Sequence, residues 1–389
     1  MKIRELTCDV LIVGAGIAGV SAAISASRKG AKTILIEKNS YPGGTAIDCR
    51  LQQLCGLYPK NTGIAAEIIS GLKKLNPKNK FIRLGKLEVF SFQPENLTNV
   101  LRQLTQKEKN LQIYYNATIT EVKNTGQSII SLKMITPRQK FKFTPKAVID
   151  ASGEGCIIKL SKAASLLAPK TRRQLAGFTF QVCKLRDSSG LLTLKVPYYL
   201  TLAAKQKEIS PYLRFTNFTY LLRKNSGIIK LNLPAQSYLG QENTTKKYAL
   251  LIHRHLQKVL PEFKNSQIQW LTKEVHERQG RCLWGKQILT EKDILSAKKF
   301  PHAIAKGYWP IEFWHPQKGQ QIKYLKTNQF YEIPLECLKS KNIINLFATG
   351  RCISVTPMAL ASTRVMGTCI YLGEAAGKAA ALLSQQIRR

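Results

Sequence analysis

The chain has 389 residues, of which 44% are hydrophobic and 8% aromatic; this composition excludes disordered and fibrous proteins and predicts a globular one. At this length two interleaved lobes are expected. Lys and Arg number 60 against 23 Asp and Glu, a formal net charge of +37. This excess favours nucleic acid or an anionic membrane surface as a neighbour. The basic residues form no long block, however, and a basic bias of the source lineage explains the charge as well.

The cysteines and the first residues indicate the compartment. Nine cysteines, an odd number without metal-ligand spacing, occur in a chain too large to need disulfide staples. They predict reduced thiols and no metal site. Met1–Thr7 lacks the apolar core of a secretory signal, and no uninterrupted span of about 20 apolar residues is present for a membrane helix. We therefore expect a cytoplasmic protein without a transmembrane segment.

The chain opens with a βαβ pattern. Cys8–Val13 is predicted as a short buried strand, Ile17–Lys29 as a helix with small residues facing it, and Lys32–Ile36 as a second strand. Beyond this unit, periodicity predicts two helices, a group of strands that we interpret as a small antiparallel layer, and a returning strand. These are the helices Gly63–Lys74 and Glu95–Lys109, the strands Ile113–Tyr115, Ala117–Val122 and Ile129–Ile135, and the strand Lys146–Ala151.

The middle of the chain differs in texture from its two ends. Gly177–Tyr331 mixes strands with short helices and holds all five histidines. The strand Ile343–Thr349 and the Ala-rich helix Arg364–Ser384 are then predicted to rejoin the first lobe. The sequence thus predicts a discontinuous nucleotide-binding domain, 1–165 and 335–389, interleaved with a substrate or cap domain, 166–334.

A dinucleotide fingerprint follows the first strand. Gly14 permits a tight turn, Gly16 lets the backbone approach a pyrophosphate, and Gly19 permits close packing of helix on strand. Glu37, at the end of the next strand, is placed to accept hydrogen bonds from the adenosine ribose, which disfavours a 2′-phosphate there. Because strand, helix and acid accompany the glycines, the pattern predicts a nucleotide site.

Three further segments favour FAD over NAD. The Gly43-Gly44 pair follows soon after Glu37, where it lets the chain pass close to a second phosphate or the ribityl chain. Val148–Gly155 and Asn345–Arg351 each run from a strand into a glycine turn. Three returns to one nucleotide suit a long, extended cofactor.

The C-terminal part carries a more specific likeness. Gly350–Ser354 reads Gly-Arg-Cys-Ile-Ser, Arg364–Met366 reads Arg-Val-Met, and Gly373–Gly377 continues a small-residue helix. In these motifs, and in Cys8–Tyr58, Val148–Gly155, Arg281–Asp293 and Ile311–Pro316, the chain resembles the FAD-dependent oxidoreductase family. The part between Lys159 and Lys273 matches only loosely. Thr356–Leu360 departs from a Glu-Ala-His stretch frequent in that family, so a histidine role there is absent or moved.

The resemblance implies a Rossmann-type α/β FAD-binding domain, a parallel sheet with helices and a small antiparallel layer, interleaved with a mixed α+β substrate domain. It also implies that the helix start at Gly367 points at the flavin and stabilises negative charge on it. Fingerprint and resemblance together predict the FAD-binding residues Gly14, Gly16, Ile17, Ala18, Gly19, Glu37, Lys38, Gly43, Gly44, Thr45, Ile119, Asp150, Ala151, Gly153, Gly350, Arg351, Met366, Gly367 and Thr368.

Candidates for the chemistry lie mostly in the second half. His315, between Trp314 and Pro316, is a candidate base, although an aromatic packing role explains it too. Arg281 and Arg364 are candidates for holding a substrate carboxylate; for Arg281 the alternative is an ion pair.

Two cysteines were weighed as a redox pair. Five residues separate Cys49 from Cys55, one more than in FAD-binding disulfide reductases, and the extra helical step turns the second thiol away. The first histidine is His253, which excludes an N-terminal histidyl link to the flavin, whereas a cysteinyl link stays open.

We predict an FAD-dependent dehydrogenase or oxidase that transfers hydride between a small organic substrate and flavin N5, with an unidentified electron acceptor. One alternative is an NAD(P)H-dependent flavin monooxygenase or reductase. Another is a flavoprotein that acts on RNA or binds an anionic membrane, whose binding would weaken steeply with salt.

Overall fold

The computed structural model describes residues 3–57, 61–187, 189–221, 225–235 and 243–387. Met1 and Tyr58, which end two of the segments considered above, lie outside these ranges. The strands are β1 Ile3–Val13, β2 Thr33–Ile36, β3 Gln53–Cys55, β4 Phe81–Leu84, β5 Leu87–Ser91, β6 Leu111–Tyr114, β7 Thr118–Asn124, β8 Ile129–Ile135, β9 Lys140–Asp150, β10 Ser165–Leu166, β11 Ala176–Cys183, β12 Asn217–Tyr220, β13 Gly227–Leu233, β14 Gln267–Leu271, β15 Cys282–Leu283, β16 Ala303–Gly307, β17 Ile311–His315, β18 Gly319–Lys323, β19 Tyr331–Pro334 and β20 Leu346–Ala348. The α-helices are α1 Ile17–Arg28, α2 Thr45–Asp48, α3 Gly63–Leu75, α4 Pro94–Gln106, α5 Cys156–Leu160, α6 Leu192–Lys205, α7 Thr244–Val259, α8 Glu291–Leu295, α9 Pro357–Thr363 and α10 Met366–Gln386.

A parallel sheet forms the centre of the first part of the molecule. Its strands lie in the order β6-β2-β1-β9, with β20 also paired to β9, and each of these neighbours is parallel. Residues 10–13 of β1 and 34–36 of β2 are buried on both faces, as strands covered by helices must be. The predicted βαβ unit and the returning C-terminal strand are confirmed.

The strand β9 belongs to two layers. Along its length it pairs with β1; on its other edge, residues 140–143 pair antiparallel with β8 and residues 148–150 pair parallel with β20. The antiparallel layer is therefore β7-β8-β9. Our assignment of Ile113–Tyr115 to this layer was wrong. The strand there, β6, forms the parallel edge of the sheet beside β2, in register from Thr33 with Leu111.

The helices α1 and α10 cover the parallel sheet side by side. A Cβ at Gly373 would lie 2.1 Å from the Ala18 carbonyl oxygen, and one at Gly377 would lie 2.1 Å from that of Ala22. Glycine at these two positions therefore lets the helix backbones touch. The seam joins parts of the chain more than three hundred residues apart. The predicted C-terminal helix is confirmed, although it begins at Met366 and not at Arg364. Arg364 is instead the C-cap of the short preceding helix α9.

Sequence analysis missed the small antiparallel sheet β3-β5-β4. Its strands are short and only partly buried, so they lack a clear two-residue period. No helix in the described ranges is long and apolar enough to cross a membrane.

The chain forms two compact units. The first consists of Met1–Ala168, Gly280–Glu312 and Ile322–Arg389, and the second of Pro169–Gln279 and Phe313–Gln321. The second unit is therefore shorter than the predicted segment 166–334, because residues 280–312 and 322–334 return to the first unit.

The second unit is a sheet covered by helices on one face. Its strands lie in the order β12-β13-β11-β14, all antiparallel. Phe178 and Phe180 of β11 pack with Leu200 of α6 and Leu256 of α7 in one apolar core. The alternate residues of the strands point to the opposite face of the sheet.

Candidate functional site

The turn after β1 is built by backbone packing. Gly14 has a φ of +102°, and a Cβ there would lie 2.5 Å from the carbonyl oxygen of Ala151. A Cβ on Gly19 would lie 1.8 Å from the carbonyl oxygen of Gly14. The first and third glycines of the fingerprint are therefore required by the contact of the turn with α1 and with the end of β9.

The middle glycine has a different environment. Gly16 precedes α1 with φ −61° and ψ 173°, an ordinary extended conformation, and no heavy atom lies within 4 Å of where its Cβ would be. Side chains are thus kept away from the N-terminus of the helix, where backbone N–H groups lack intrahelical partners. This space fits a phosphate group, which a helix N-terminus attracts.

The second glycine pair lies beside the first turn. Gly43 forms a β-bridge with Gly16, and its N–H donates to the Ala15 carbonyl oxygen at 2.8 Å. Gly44 has a φ of +52°, and its Cβ would lie 3.1 Å from Gly16 Cα. The structure brings the two predicted glycine segments together. Thr45 then begins α2 and is partly exposed.

Glu37 ends β2 and is 5% exposed. Its Oε2 accepts from the Ala15 N–H at 2.6 Å, and its Oε1 accepts from the Asn39 N–H at 2.9 Å. Burial raises the pKa of this carboxyl group, while the two backbone donors partly oppose the rise. Each carboxylate oxygen can accept a second hydrogen bond. Glu37 therefore anchors the glycine turn and still has acceptor capacity for a ribose hydroxyl, whereas the next residue, Lys38, is exposed.

Asp150 was predicted to bind the cofactor, and the structure gives it another role. It is fully buried. Its Oδ1 accepts from the N–H and the hydroxyl of Ser152, and its Oδ2 accepts from the N–H groups of Ile157 and Ile158. All four acceptor positions of the carboxylate are thereby used. Asp150 shapes the glycine turn after β9 and caps α5, and its carboxylate has no acceptor position left for a ligand.

The chain returns to this turn after β20. Thr349 donates its N–H to the Asp150 carbonyl oxygen at 3.0 Å. Gly350 has a φ of +65° and packs close to Ala18 of α1. The guanidinium of Arg351 lies against Gly153, where an added Cβ would be 2.5 Å from Nη2. The predicted residues Gly153, Gly350 and Arg351 therefore lie together beside the first turn of α1.

The start of α10 packs against the backbone at Gly56. A Cβ on Gly367 would lie 2.5 Å from the carbonyl oxygen of Gly56, and one on Gly56 would lie 3.2 Å from Thr368 Oγ1. The hydroxyls of Thr349, Thr363 and Thr368 are buried and have no hydrogen-bond partner within the described part of the chain. Buried hydroxyls usually do have partners, so these three suit a polar ligand.

Arg364 separates α9 from α10 and is partly buried. Its Nη2 donates to the Glu312 carbonyl oxygen at 3.1 Å. Burial lowers the pKa of the guanidinium, and the charge of Glu312 opposes that effect. The Glu312 carboxylate also accepts from the Trp309 indole N–H at 3.1 Å. The sequence analysis named Arg364 but missed Glu312 and Trp309.

A buried hydroxyl chain holds Trp309 in place. The Ser362 hydroxyl donates to the Trp309 carbonyl oxygen at 2.5 Å and lies 2.7 Å from the hydroxyl of Tyr331. Tyr331 is fully buried, and burial raises the pKa of its phenol. Nothing in the sequence indicated this role for Ser362, because only the folded chain brings it next to Trp309.

The other two candidates for chemistry have structural contacts. His315 lies in the second unit, at the turn between β17 and β18, where its Nδ1 accepts from the N–H groups of Gln317 and Lys318 at 3.0 and 3.2 Å. One ring nitrogen is thus engaged in holding the hairpin. Arg281 donates from Nη1 to Ser165 Oγ at 2.8 Å and packs against Gly155.

The remaining predicted contacts are distributed along the first unit. Ile17 and Ala18 are buried at the start of α1, and Ala151 follows β9. Ile119 is 5% exposed and belongs to the core below the antiparallel layer. Met366 is the partly buried first residue of α10.

The two weighed cysteines lie on different elements. Cys49 is the buried C-cap of α2, whereas Cys55 ends β3. No disulfide bond joins any of the nine cysteines, all of which lie in the described ranges.

The fold and the glycine turns define a dinucleotide-binding protein of the Rossmann type. The chain belongs to the FAD dependent oxidoreductase family, whose sequence model matches residues 9–388. It is accordingly an enzyme, an oxidoreductase, and FAD is its cofactor.

Sequence relatives match only a short segment. Sarcosine oxidase subunit alpha of Rhizobium meliloti is 48% identical over 40 residues, 10% of this chain and 4% of that protein. Fumarate reductase (cytochrome) of Shewanella frigidimarina is 62% identical over 40 residues, 10% of this chain and 7% of that protein. This chain thus covers less than a tenth of the length of either relative.

Solved structures share the fold over nearly the whole chain. Anhydrotetracycline hydroxylase from Streptomyces rimosus superposes with a TM-score of 0.53 at 12% identity, covering 98% of this chain and 63% of that one. p-Nitrophenol 4-monooxygenase from Pseudomonas putida gives a TM-score of 0.53 at 11% identity, covering 99% of this chain and 82% of that one. At such low identity these likenesses establish the fold alone.

Proposed function

We propose that the glycine turns of the first unit hold FAD in an extended form. The observation that carries this assignment is a contrast within the fingerprint. The protein's own backbone occupies the space where a Cβ of Gly14 or Gly19 would lie, whereas the corresponding space at Gly16 is open. The N-terminus of α1 would bind the pyrophosphate, and Glu37 the ribose. Arg351, whose guanidinium lies against Gly153, offers a positive charge. Thr349, Thr363 and Thr368 supply hydroxyls that have no hydrogen-bond partner among the residues that the structure describes.

The proposed reaction is oxidation of a small organic substrate. Bound FAD supplies the acceptor for the hydride. The N-terminus of the 21-residue helix α10 stabilises negative charge placed next to Gly367. Arg364, one residue before the Val365 N-cap of that helix, is a cation in a partly buried position and is suited to hold a substrate carboxylate.

Glu312 and Trp309 orient this cation. The backbone oxygen of Glu312 accepts from Arg364, and its carboxylate is fixed by the Trp309 N–H. Such a set favours a small carboxylic acid as the substrate, since an oriented guanidinium can bind a carboxylate through two parallel charge-assisted hydrogen bonds.

The second unit is proposed as the substrate domain. On the sheet face opposite its helices, Thr179, Gln181 and Asn232 are buried polar residues. The Arg278 guanidinium lies 4.7 Å from the centroid of the Trp314 ring in the same unit. Hydrogen bonds hold these polar side chains in place, as between Gln181 and Gln269 and between Arg278 and Asn232, and such a fixed polar face is suited to line a cavity for a polar molecule.

The direct test is anaerobic reduction. Purified protein is first denatured to release the pigment, which chromatography should identify as FAD. Native protein is then mixed without oxygen with small amino acids, hydroxy acids, amines and neutral alcohols, and the flavin absorbance is followed. Bleaching by a carboxylic acid and not by its amide supports the proposal. Bleaching by amines or alcohols alone contradicts the role given to Arg364.

A second candidate is an NAD(P)H-dependent monooxygenase. The structures named as a hydroxylase and a monooxygenase, whose fold this chain shares, motivate it. Under this alternative NADPH or NADH alone would bleach the flavin and stimulate oxygen uptake. Failure of both nucleotides to do so, together with reduction by a carboxylic acid, would leave the first proposal standing.

A further inference from the structure

The helices of the second unit present an unusual solvent surface. The buried residues of α6 and α7 lie in one core against the same face of the sheet, so the exposed residues of both helices point away from that sheet on one side. On α6, Leu194 is 68% exposed and Tyr198 is 60% exposed. They are one helical turn apart and therefore adjacent on the surface. Leu191, just before the helix, is also exposed and extends this apolar stripe.

The helix α7 adds a second stripe. Leu250 and Leu251 are exposed in its middle. Exposed cations flank them on the same helix: Lys246, Lys247, Arg254 and Lys258. Leucines interleaved with cations on one face are typical of helices that lie in a membrane interface.

Acidic residues are absent from both helices. The sequences LTLKVPYYLTLAAK and TTKKYALLIHRHLQKV contain neither Asp nor Glu. Two carboxylates beside the helices contact them: Glu262 pairs with Lys195 at 2.5 Å, and Glu208 lies 3.5 Å from His255. No acidic group on the helices themselves would therefore repel an anionic surface.

We propose that this face, formed by the exposed residues of α6 and α7, docks on an anionic lipid surface. The leucines and the tyrosine enter the headgroup region, where their burial is favourable, and the cations of α7 contact lipid phosphates. A second copy of the chain fits less well, because a symmetric contact would place α7 cations against α7 cations between molecules of +37 net charge. An RNA fits less well because the exposed leucines make neither hydrogen bonds nor charge contacts with phosphates.

Vesicle flotation of the full-length FAD-loaded protein tests this. Vesicles of phosphatidylcholine alone are compared with vesicles that also contain phosphatidylglycerol. Wild type should float with the anionic vesicles only. Binding should fall about tenfold or more in Leu194→Ser/Tyr198→Ser, and likewise in Lys246→Gln/Lys247→Gln/Arg254→Gln.

The matched control removes the same charge elsewhere. Lys74, Lys78 and Lys80 are exposed residues of the first unit, and their triple change to Gln should leave vesicle binding within about twofold of wild type. Flavin absorbance and thermal midpoints verify that each variant is folded. The comparison of the two vesicle types with wild-type protein tests the proposal by itself, without any variant.

Several results would overturn the proposal. They are equal binding to neutral and anionic vesicles, equal loss in the control triple variant, and binding of an RNA oligonucleotide without vesicle binding. Concentration-dependent self-association that the Leu194→Ser/Tyr198→Ser change abolishes, in the absence of vesicle binding, would instead assign the face to a second copy.

Discussion

The turn at Gly14–Gly19 and the segment Thr363–Thr368 are both assigned to the same cofactor, but they are specified in different ways. In the first, the protein's own backbone demands glycine at two positions and leaves space at the third. In the second, the site depends on contacts from a distant part of the chain, such as the Glu312 carbonyl oxygen and the Trp309 indole. The first is consequently visible in a local sequence pattern, whereas the second is visible only once the chain is folded.

The strongest test of this contrast is Gly19→Ala. The new methyl group would meet the Gly14 carbonyl oxygen at 1.8 Å, and neither backbone can yield without moving α1. We expect the free energy of unfolding of the cofactor-free protein to fall by about 3 kcal/mol. Urea denaturation followed by circular dichroism measures it. A loss below the error of that measurement would mean that packing does not specify the turn.

Arg364→Gln tests the segment before α10. It removes the cation that we assign to the substrate while keeping a polar side chain of similar reach. We expect kcat/KM for a carboxylic acid substrate to fall about a hundredfold, because a charge-assisted pair is lost, with FAD still bound. Steady-state kinetics, with flavin absorbance as the folding control, measures this. His315→Ala is the comparison variant, and it should stay within about threefold of wild type because its ring nitrogen serves the hairpin turn.

Gly16→Ala separates binding from folding within the fingerprint. Its backbone angles suit any residue, and its Cβ would meet open space. The cofactor-free protein should therefore unfold at the wild-type temperature, whereas FAD affinity should fall about tenfold because the methyl group enters the phosphate space. Flavin fluorescence titration of the cofactor-free protein measures the affinity. Unchanged affinity would place the pyrophosphate elsewhere.

The smallest expected effect concerns Glu37. Burial raises its pKa in the folded protein above the ordinary value of 4.5, so the folded state retains a proton that the unfolded chain has lost. Stability of the cofactor-free protein should then decrease as pH rises from 4.5 through the folded-state pKa. In Glu37→Gln this pH-dependent decrease in stability should vanish. Thermal midpoints of both proteins across that pH range measure it, and parallel curves would contradict the assignment.

Much of the first unit could be predicted from sequence. The strand and helix of the βαβ unit are long and strongly patterned, and the C-terminal helix is marked by its small residues. Asp150 shows the limit of such reasoning. Its position after a strand suggested a ligand contact, but four internal hydrogen bonds use its acceptors. Sequence distance gives no sign of how many donors will converge on a carboxylate.

The second unit was less readable for a physical reason. Its core comes from one face of an antiparallel sheet and from two helices, so apolar residues recur in patterns that mix both periods. The pair Trp309 and Glu312 was missed for another reason. Glu312 lies in β17 with His315, and Trp309 precedes that strand, but both are recognised only by contacts that the fold creates, with Arg364 and with each other.

The long seam between α1 and α10 has a consequence for synthesis on the ribosome. Ala18 and Ala22 emerge early, yet their packing partners Gly373 and Gly377 emerge some three hundred and fifty residues later. The strand β20, which completes the parallel sheet, is equally late. Non-local contacts of this kind delay folding until both partners exist. We therefore expect the glycine turns of the cofactor site to be fully packed only after β20 and α10 have been synthesised.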